Sequence, residues 1–296
     1  MPYIFMKNIG GKYLFIFGVG RSGTTYLSVQ LARYKEFVGV EEHHFIRSVL
    51  GRRIEPFLLE DIEKTLFWGS LKEDNRQLLR NSGCRFTAEE LLDQIYKDSE
   101  KLRLDKDPKL IQSLDLIKKS FNDYELLWIQ RDIRAVLASK MKADWSKKKG
   151  LVLNLLISIF QYNIGLWEKL LGNHKIHIVQ YNELITDTEA VIEDLLNKLN
   201  IRSSGVENKS LEGMIRKEER WKQNSLNKAD STRIESWKSS LSRCEIFLCE
   251  LCCVSSIKQN RKFTGLKYPA YLISGLLFIS SIGFYYLFKK QLLYRI

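Results

Sequence analysis

The sequence contains little proline and little cysteine. Among 296 residues there are only 4 prolines and 5 cysteines. The scarcity of proline leaves no visible linker before about Ser255. Four of the five cysteines are crowded between Cys244 and Cys253, and this odd, clustered set argues against a disulfide framework. We therefore expect one folded domain with reduced thiols, as on a cytosolic face, and not a disulfide-stabilised miniprotein.

Acidic residues are absent from the last 39 positions, which hold seven basic residues. The net charge of the whole chain is +12, so more than half of it comes from this tail. The remaining body has only a small excess of positive charge, which is not the composition of a protein that coats nucleic acid. We therefore expect no nucleic-acid partner.

A long uncharged segment, residues 268–288, lies within that basic tail. About 20 apolar residues in a helix span the hydrocarbon core of a bilayer, and lysines flank this segment on both sides. The alternative is a hydrophobic helix buried in the fold. The sequence predicts four parts: a domain at 1–257, a basic juxtamembrane segment at 258–267, a transmembrane helix at 268–288 and a basic tail at 289–296.

Short apolar runs with the character of buried strands alternate with helical patterns along the first 200 residues. The predicted strands are 13–18, 37–40, 102–105, 125–130 and 175–180, and the predicted helices are 24–34, 88–98, 109–120, 151–171 and 188–199. This alternation favours an α/β domain built on a mainly parallel sheet. Functional loops are then expected after the carboxyl ends of the strands.

A glycine-rich loop, GVGRSGTT at 18–25, follows the first predicted strand and begins the first predicted helix. Glycines let the backbone approach an anion closely, and the helix N-terminus supplies N–H groups to bind it. Thr24 stands where the P-loop of an NTPase has lysine, and Arg21 supplies a positive charge from within the loop. The loop therefore predicts phosphate binding without ATP hydrolysis.

A second pair of phosphate ligands follows the fourth predicted strand. Arg131 comes directly after the strand, and Ser139 lies eight residues later, about two turns into a helix. A guanidinium can bind a phosphate through two hydrogen bonds, and a hydroxyl can donate a third. The spacing therefore predicts that both side chains bind one phosphate group.

These two segments resemble the cofactor motifs of sulfotransferases that use 3′-phosphoadenylyl sulfate (PAPS), of the glycan or bacterial type. RSGTTYL at 21–27 looks like their 5′-phosphosulfate loop, and Arg131 and Ser139 match their 3′-phosphate motif, with Ile133 in place of its usual proline. The resemblance covers about residues 13–256 and implies a P-loop-like, three-layer α/β domain with a central parallel sheet of about five strands. It implies in-line transfer of a sulfuryl group from PAPS with no metal required. The cofactor-binding residues it implies are Gly20, Arg21, Ser22, Gly23, Thr24, Thr25, Arg131 and Ser139.

The end of the second predicted strand, VEEHHF at 40–45, resembles the Glu-x-His-Phe-Phe segment of glycan sulfotransferases. That resemblance makes Glu42 the base that takes the proton of the acceptor hydroxyl, and His44 the matching histidine. Cytosolic members of the family use a histidine base, so His43 and His44 remain open alternatives, and so does Glu41.

Lys106 matches the lysine of the family's Glu-Lys-[Ser/Thr]-Pro segment, although aspartates flank it here. The resemblance implies that Lys106 and Arg21 offset the charge that develops on the leaving phosphate oxygen. The alternative is a surface lysine. Two later segments, 178–187 and 233–241, resemble the family's core-closing turn and its cofactor-covering segment.

The resemblance and the hydrophobic tail together indicate the partners. We expect a hydroxyl acceptor on a glycan or glycolipid, contact with a lipid bilayer through the C-terminal helix, and a catalytic domain on the cytosolic side. Two other hypotheses remain open. One is a P-loop kinase or NTPase, which would need Asp105 or Asp132 to hold a metal ion. The other is a catalytically inactive membrane adaptor.

Overall fold

A parallel sheet of five strands forms the centre of the structure, with strand order β2-β5-β1-β6-β7. The computed structural model describes residues 13–39, 44–50, 56–96, 101–172, 174–207, 229–253 and 267–295, and the side chains of the last segment over 271–287. A separate antiparallel pair, β3 and β4, lies outside the main sheet. The strands are β1 Tyr13–Gly18, β2 Phe37–Val38, β3 Phe57–Leu58, β4 Arg85–Phe86, β5 Leu102–Lys106, β6 Tyr124–Gln130 and β7 Ile176–Gln180.

Helices cover both faces of the sheet and fill the connections between strands. Two short segments have other helical forms: Ile46–Leu50 is a π-helix and Pro108–Gln112 is a 3₁₀-helix. The α-helices are α1 Thr24–Leu31, α2 Leu59–Ile62, α3 Leu66–Ser70, α4 Glu73–Ser82, α5 Ala88–Ile95, α6 Leu114–Ser120, α7 Ile133–Met141, α8 Asp144–Lys147, α9 Gly150–Leu171, α10 Tyr181–Thr186, α11 Thr188–Lys198, α12 Thr232–Glu235, α13 Trp237–Ser240, α14 Arg243–Cys252 and α15 Lys267–Arg295.

The central strand β1 is buried along its whole length. Alternate side chains enter two different cores: Phe15 packs in the core that α7 and α9 cover, and Ile16 packs in the core that α1 and α11 cover. A strand buried on both faces has a continuous apolar sequence, which is why YLFIFG was readable as a strand. The three-layer α/β fold with a five-stranded parallel sheet is confirmed.

Differences from the expected elements lie mainly outside the central sheet. The helix expected at 109–120 is divided in two, because Ser113 has φ −134° between the 3₁₀-helix and α6. Asp107 caps the first part by accepting a hydrogen bond from the Lys109 N–H at 2.9 Å. The β3–β4 pair and helices α2 to α4 were not predicted, since β3, β4, α2 and α3 are very short and α4 has only two apolar residues, Leu78 and Leu79.

The C-terminal helix α15 contains the predicted membrane span and packs along α9 and α14. Tyr285 is 1% exposed, and the Phe284 ring lies 5.8 Å from the Phe160 ring of α9. Asn163 of α9 donates a hydrogen bond to Ser281 at 3.2 Å. Other α15 side chains are exposed and apolar: Tyr271, Leu272, Leu276, Ile279 and Leu287. One side of the helix therefore packs on the domain and another side presents apolar surface.

Among the described residues, α9 is the one helix long and apolar enough to cross a membrane. It lies in the middle of the chain, and half of its most apolar stretch is buried inside the domain. The apolar part of α15 with described side chains, residues 271–287, is shorter. Length and composition therefore give only weak support to the predicted C-terminal transmembrane helix. The predicted juxtamembrane segment up to residue 266 lies outside the described residues.

Candidate active site

The glycine-rich loop joins β1 to α1, and its conformation depends on two glycines. Gly23 has φ +107°, and a Cβ at this position would lie 2.5 Å from a ring carbon of Tyr181. A Cβ on Gly18 would lie 2.6 Å from the carbonyl oxygen of Ile129. Arg21 also has a left-handed backbone, with φ 77°, which is uncommon for a residue with a side chain. Such strain clusters at binding loops, where the surrounding structure maintains it.

Arg131 reaches this loop because β6 pairs in parallel with β1. Its Nη1 donates a hydrogen bond to the Arg21 carbonyl oxygen at 3.1 Å, and its guanidinium carbon lies 4.0 Å from the centre of the Tyr181 ring. The Arg21 side chain points to the same place, because its Nε donates to the Ser139 Oγ at 3.1 Å. The structure therefore brings the loop and the predicted second phosphate anchor together.

The region around Arg21 and Arg131 is a buried concentration of positive charge. Burial lowers the pKa of both guanidinium groups, and for Arg21 the neighbouring charge of Arg131 lowers it further. None of the ion pairs between described residues includes Arg21 or Arg131. Within the same set, the Ser22 Oγ and the Arg131 Nε are buried without a hydrogen-bond partner. Buried cations and donors without partners are the chemistry expected of a site for a polyanionic ligand.

Lys106 ends β5, the other neighbour of β1, and is only 2% exposed. Its Nζ donates a hydrogen bond to the Thr25 Oγ1 at 3.2 Å. Lys106 is therefore a buried contact of the loop and not a surface lysine.

His44, the one member of the predicted base segment 41–44 that lies within the described residues, contacts Asp107. The Asp107 Oδ2 lies 3.2 Å from the His44 Nδ1 and accepts a hydrogen bond from the Arg47 Nε at 2.8 Å. Burial alone would raise the pKa of Asp107, but the His44 hydrogen bond and the Arg47 charge hold it below its ordinary value. Asp107 therefore remains a carboxylate that fixes both side chains. Glu41, Glu42 and His43 lie outside the described residues.

One cleft of about 900 Å³ connects these groups. Its lining includes Gly20, Arg21 and Gly23 to Tyr26 of the loop, the second anchor Arg131 and Ser139, and the His44, Arg47 and Asp107 cluster. Ser22 lies behind this lining and is 1% exposed. It also includes a stretch from the end of α7 to the middle of α9, which we call the α7–α9 lining: residues 140, 142, 143, 145, 149, 154, 157 and 161.

Asp132 and Arg134 fix the position of α7, the helix that carries Ser139. Asp132 caps the helix by accepting a hydrogen bond from the Arg134 N–H at 2.8 Å. The Arg134 guanidinium pairs with both Asp132 and Glu250 of α14 and lies 3.9 Å from the centre of the Trp237 ring. Because Arg134 donates hydrogen bonds to both oxygens of Asp132, this carboxylate is poorly placed to hold the metal ion that a kinase or NTPase needs.

Sequence patterns missed three residues at this site. Tyr181 contacts both Gly23 and Arg131, Arg47 binds Asp107, and Lys140 is a buried lysine of the cleft. Lys140 directly follows Ser139, but nothing in the local sequence shows that α9 covers it. Arg47 carried a detectable signal, since it lies three residues after His44 and so one helical turn away.

The comparisons with known proteins agree with this geometry. Residues 14–204, more than half of the chain, match the model of a sulfotransferase family. The chain belongs to the sulfotransferase family. This confirms the family that the loop and the second anchor indicated, and it supports sulfuryl transfer as the general reaction. No curated protein sequence matches this sulfotransferase.

Two solved structures resemble this sulfotransferase over most of its length. One is the sulfotransferase domain from the olefin synthase of Synechococcus PCC 7002, with 18% identity and a TM-score of 0.52 over 80% of this chain and 92% of that one. The other is the sulfotransferase domain from the curacin biosynthetic pathway, with 16% identity and a TM-score of 0.52 over 89% of this chain and 96% of that one. At these identities the likeness supports the fold.

Proposed function

We propose that this sulfotransferase transfers the sulfuryl group of PAPS to a hydroxyl group of a glycan or glycolipid. The observation that carries the proposal is the pair of buried guanidiniums, Arg21 and Arg131, which meet at the loop without a carboxylate partner among the described residues. PAPS carries a phosphate at the 3′ position and a phosphosulfate at the 5′ position of its ribose. The chain offers two anchors for them, the glycine-rich loop and the pair Arg131 and Ser139. The family membership supports the same reaction.

The loop and the second anchor divide the donor between them in this proposal. Gly20, Arg21, Ser22, Gly23, Thr24 and Thr25 hold the 5′-phosphosulfate, with N–H groups at the start of α1 as the cradle. Arg131 and Ser139 hold the 3′-phosphate. Tyr181 supports this arrangement because its ring packs against Arg131 and leaves room only for glycine at position 23. When bound, PAPS supplies an activated sulfuryl group and a phosphate leaving group.

Arg21 and Lys106 stabilise the charge that develops on the leaving phosphate. Lys106 suits this role because it is buried and contacts Thr25 of the loop. By analogy with phosphoryl transfer, the protein contributes positioning and electrostatic stabilisation more than covalent chemistry. We propose that these cations do so without a metal ion.

The base in this proposal is Glu42, with His44 as its first rival. A carboxylate at position 42 is two residues from His44, which lines the cleft. The variants Glu42→Gln and His44→Gln separate the two roles. The base variant should lose about 10²- to 10⁴-fold in turnover while keeping its affinity for 3′,5′-bisphosphoadenosine. A large loss in His44→Gln with little loss in Glu42→Gln would assign the base to His44.

Calorimetric titration of the full chain in detergent tests the donor. We expect 3′,5′-bisphosphoadenosine to bind in preference to Mg·ATP, and Arg131→Ala to abolish this binding. Arg80→Ala is a matched control, because Arg80 is about half exposed and does not line the cleft. Preference for Mg·ATP would favour a kinase or NTPase, and a folded protein that binds neither would favour an inactive adaptor.

We also propose that α15 anchors the enzyme in a membrane, with the catalytic domain on the cytosolic side. The support is the uncharged segment 268–288 with lysines on both sides, and the apolar side chains that α15 exposes. An anchored enzyme would meet lipid-linked acceptors at the membrane surface. This fits a glycolipid or lipid-linked glycan as the acceptor.

A further inference from the structure

The cleft extends beyond the proposed sulfuryl-transfer residues onto the α7–α9 lining. Three of the eight residues of the α7–α9 lining are lysines, Lys140, Lys142 and Lys149, and none of the eight is acidic. Trp145 and Ile157 add apolar surface beside them. In the proposed function, the loop and the second anchor bind the two phosphate groups of the donor. The lysines of the α7–α9 lining are therefore available to bind another anion.

Lys140 is the centre of this lining. It is 3% exposed, and its Nζ donates a hydrogen bond to the hydroxyl of Ser158 of α9 at 2.7 Å. No carboxylate of the described residues forms an ion pair with it. Burial lowers its pKa to about 7, and the charges of Lys149 and Lys109 act in the same direction. A buried ammonium that faces further cations and only a neutral hydroxyl is destabilising until an anion binds beside it.

Gln161 lies three residues after Ser158 on α9 and also lines the cleft. Its side chain is buried, with 2% exposed, and its Oε1 has no hydrogen-bond partner within the described part of the chain. A buried amide oxygen requires an N–H or O–H donor. Because Ser158 and Gln161 lie one turn apart on α9, a single ligand can contact both Lys140 and Gln161.

We propose that the acceptor carries a phosphate group beside its hydroxyls, that Lys140, with Lys142 and Lys149, binds this phosphate, and that Gln161 accepts a hydrogen bond from an acceptor hydroxyl. This inference rests on the proposed function, since it names the substrate class of the same site. The ligand chemistry is that of a phosphorylated polyol. It is available both in soluble sugar phosphates and in the headgroup of a glycerophospholipid.

The test uses the full chain saturated with 3′,5′-bisphosphoadenosine, so that the donor site is filled. Calorimetry compares glucose 6-phosphate with glucose as the soluble pair, and micelles containing phosphatidylglycerol with micelles containing a monoacylglycerol as the lipid pair. We expect the phosphorylated member of at least one pair to bind at least tenfold more tightly than its neutral partner. The pair that shows the preference identifies the source of the acceptor.

The variants assign the preference to the α7–α9 lining. With the donor site kept saturated, Lys140→Met should reduce this preference below threefold, Lys140→Arg should retain most of it, and Gln161→Leu should weaken both members of a pair. Lys149 is exposed, so Lys149→Ala should fold normally even if Lys140→Met does not. It should weaken binding of the phosphorylated probe about threefold. Lys118→Met, an exposed lysine outside the cleft, is the control and should change nothing.

Three results would overturn the inference: equal affinity for charged and neutral probes, inorganic sulfate binding as tightly as glucose 6-phosphate, or a preference that survives Lys140→Met. The second would show that the lysines serve only the sulfuryl group of the donor. Failure of the wild-type chain to bind the bisphosphate is a different outcome, because it would overturn the proposed function itself.

Discussion

At the scale of single residues, substitution of Ser22 tests whether its side chain binds the ligand or stabilises the fold. Its Oγ is buried without a hydrogen-bond partner among the described residues, so the hydroxyl contributes nothing visible to folding there. Ser22→Ala should therefore leave the melting temperature of the ligand-free protein unchanged or slightly higher. It should weaken bisphosphate binding by roughly 10- to 100-fold, because a hydrogen bond to a charged group contributes about 1.5–3 kcal/mol.

Thermal unfolding with and without 3′,5′-bisphosphoadenosine checks this prediction in one experiment. The ligand-induced rise in melting temperature should be smaller for Ser22→Ala than for wild type. A variant that melts several degrees lower without ligand would show instead that Ser22 has a structural role.

Lys140 gives a prediction about pH. Its pKa is about 7 in the folded protein and near 10.5 when the chain is unfolded, so between these pH values the unfolded state binds more protons. The stability of the wild type should therefore rise with pH across this window, and the full effect is at most about 5 kcal/mol. Lys140→Met removes the buried charge, so it should stabilise the ligand-free protein at pH 6–7. This gain should shrink as the pH approaches 10.

The measurement is the difference in melting temperature between Lys140→Met and wild type from pH 6 to pH 9.5. Lys118→Met reports the effect of losing an exposed lysine. A difference that does not vary with pH would mean that Lys140 keeps its ordinary pKa in the folded state. The same substitution should weaken the phosphorylated acceptor, so stability and acceptor affinity change in opposite directions.

At the scale of elements, α7 depends on the ion pairs at its start. Asp132 caps the helix and pairs with Arg134, which also reaches Glu250 of α14. Asp132→Ala removes the cap, worth about 1 kcal/mol, and breaks a buried pair, which typically costs about 3–5 kcal/mol. We expect a stability loss of roughly 3–5 kcal/mol and weaker bisphosphate binding, because Ser139 lies on the same helix.

Urea unfolding of Asp132→Ala, Arg134→Met and the double variant checks this prediction. The double variant should be less destabilised than the sum of the single ones, since removing both partners leaves no unpaired buried charge. Strict additivity of the two free-energy changes would show that the two side chains are not coupled.

The elements differ in how far the sequence could predict them. The central strands β1 and β6 were predictable because burial makes most of their length apolar, and the other three strands because each contains a short apolar run. The loop and the second anchor were predictable because each directly follows a strand. Helices α2 and α3 are only four and five residues long, and α4 has only two apolar residues, so all three were missed. Lys140, Gln161 and the Asp107 ion pairs depend on which distant elements pack over them. Burial of this kind is a property of the tertiary structure and not of the local sequence.

At the scale of the whole molecule, α15 can bury its apolar surface in two ways, against the domain or in a lipid bilayer. In the structure it packs on α9 through Phe284 and Tyr285, while Leu272 and Ile279 remain exposed. If residues 268–288 span a bilayer, the full chain should remain in the membrane pellet after carbonate extraction, and a chain ending at Cys253 should be released. Release of the full chain by carbonate would indicate a helix that lies on the domain or the membrane surface without spanning it.

The position of β1 in the sheet sets the order in which the site is completed during protein synthesis. β1 and the loop are made first, and β5 and β6, which flank β1, and then Ser139 are made more than 75 residues later. At about 5–20 residues per second, the ribosome leaves the apolar strand YLFIFG without its neighbours for roughly 5–20 s. Chaperones that bind short apolar segments therefore have a defined target and a defined time in which to act. The slower the elongation, the longer this apolar strand stays exposed before its neighbours are made.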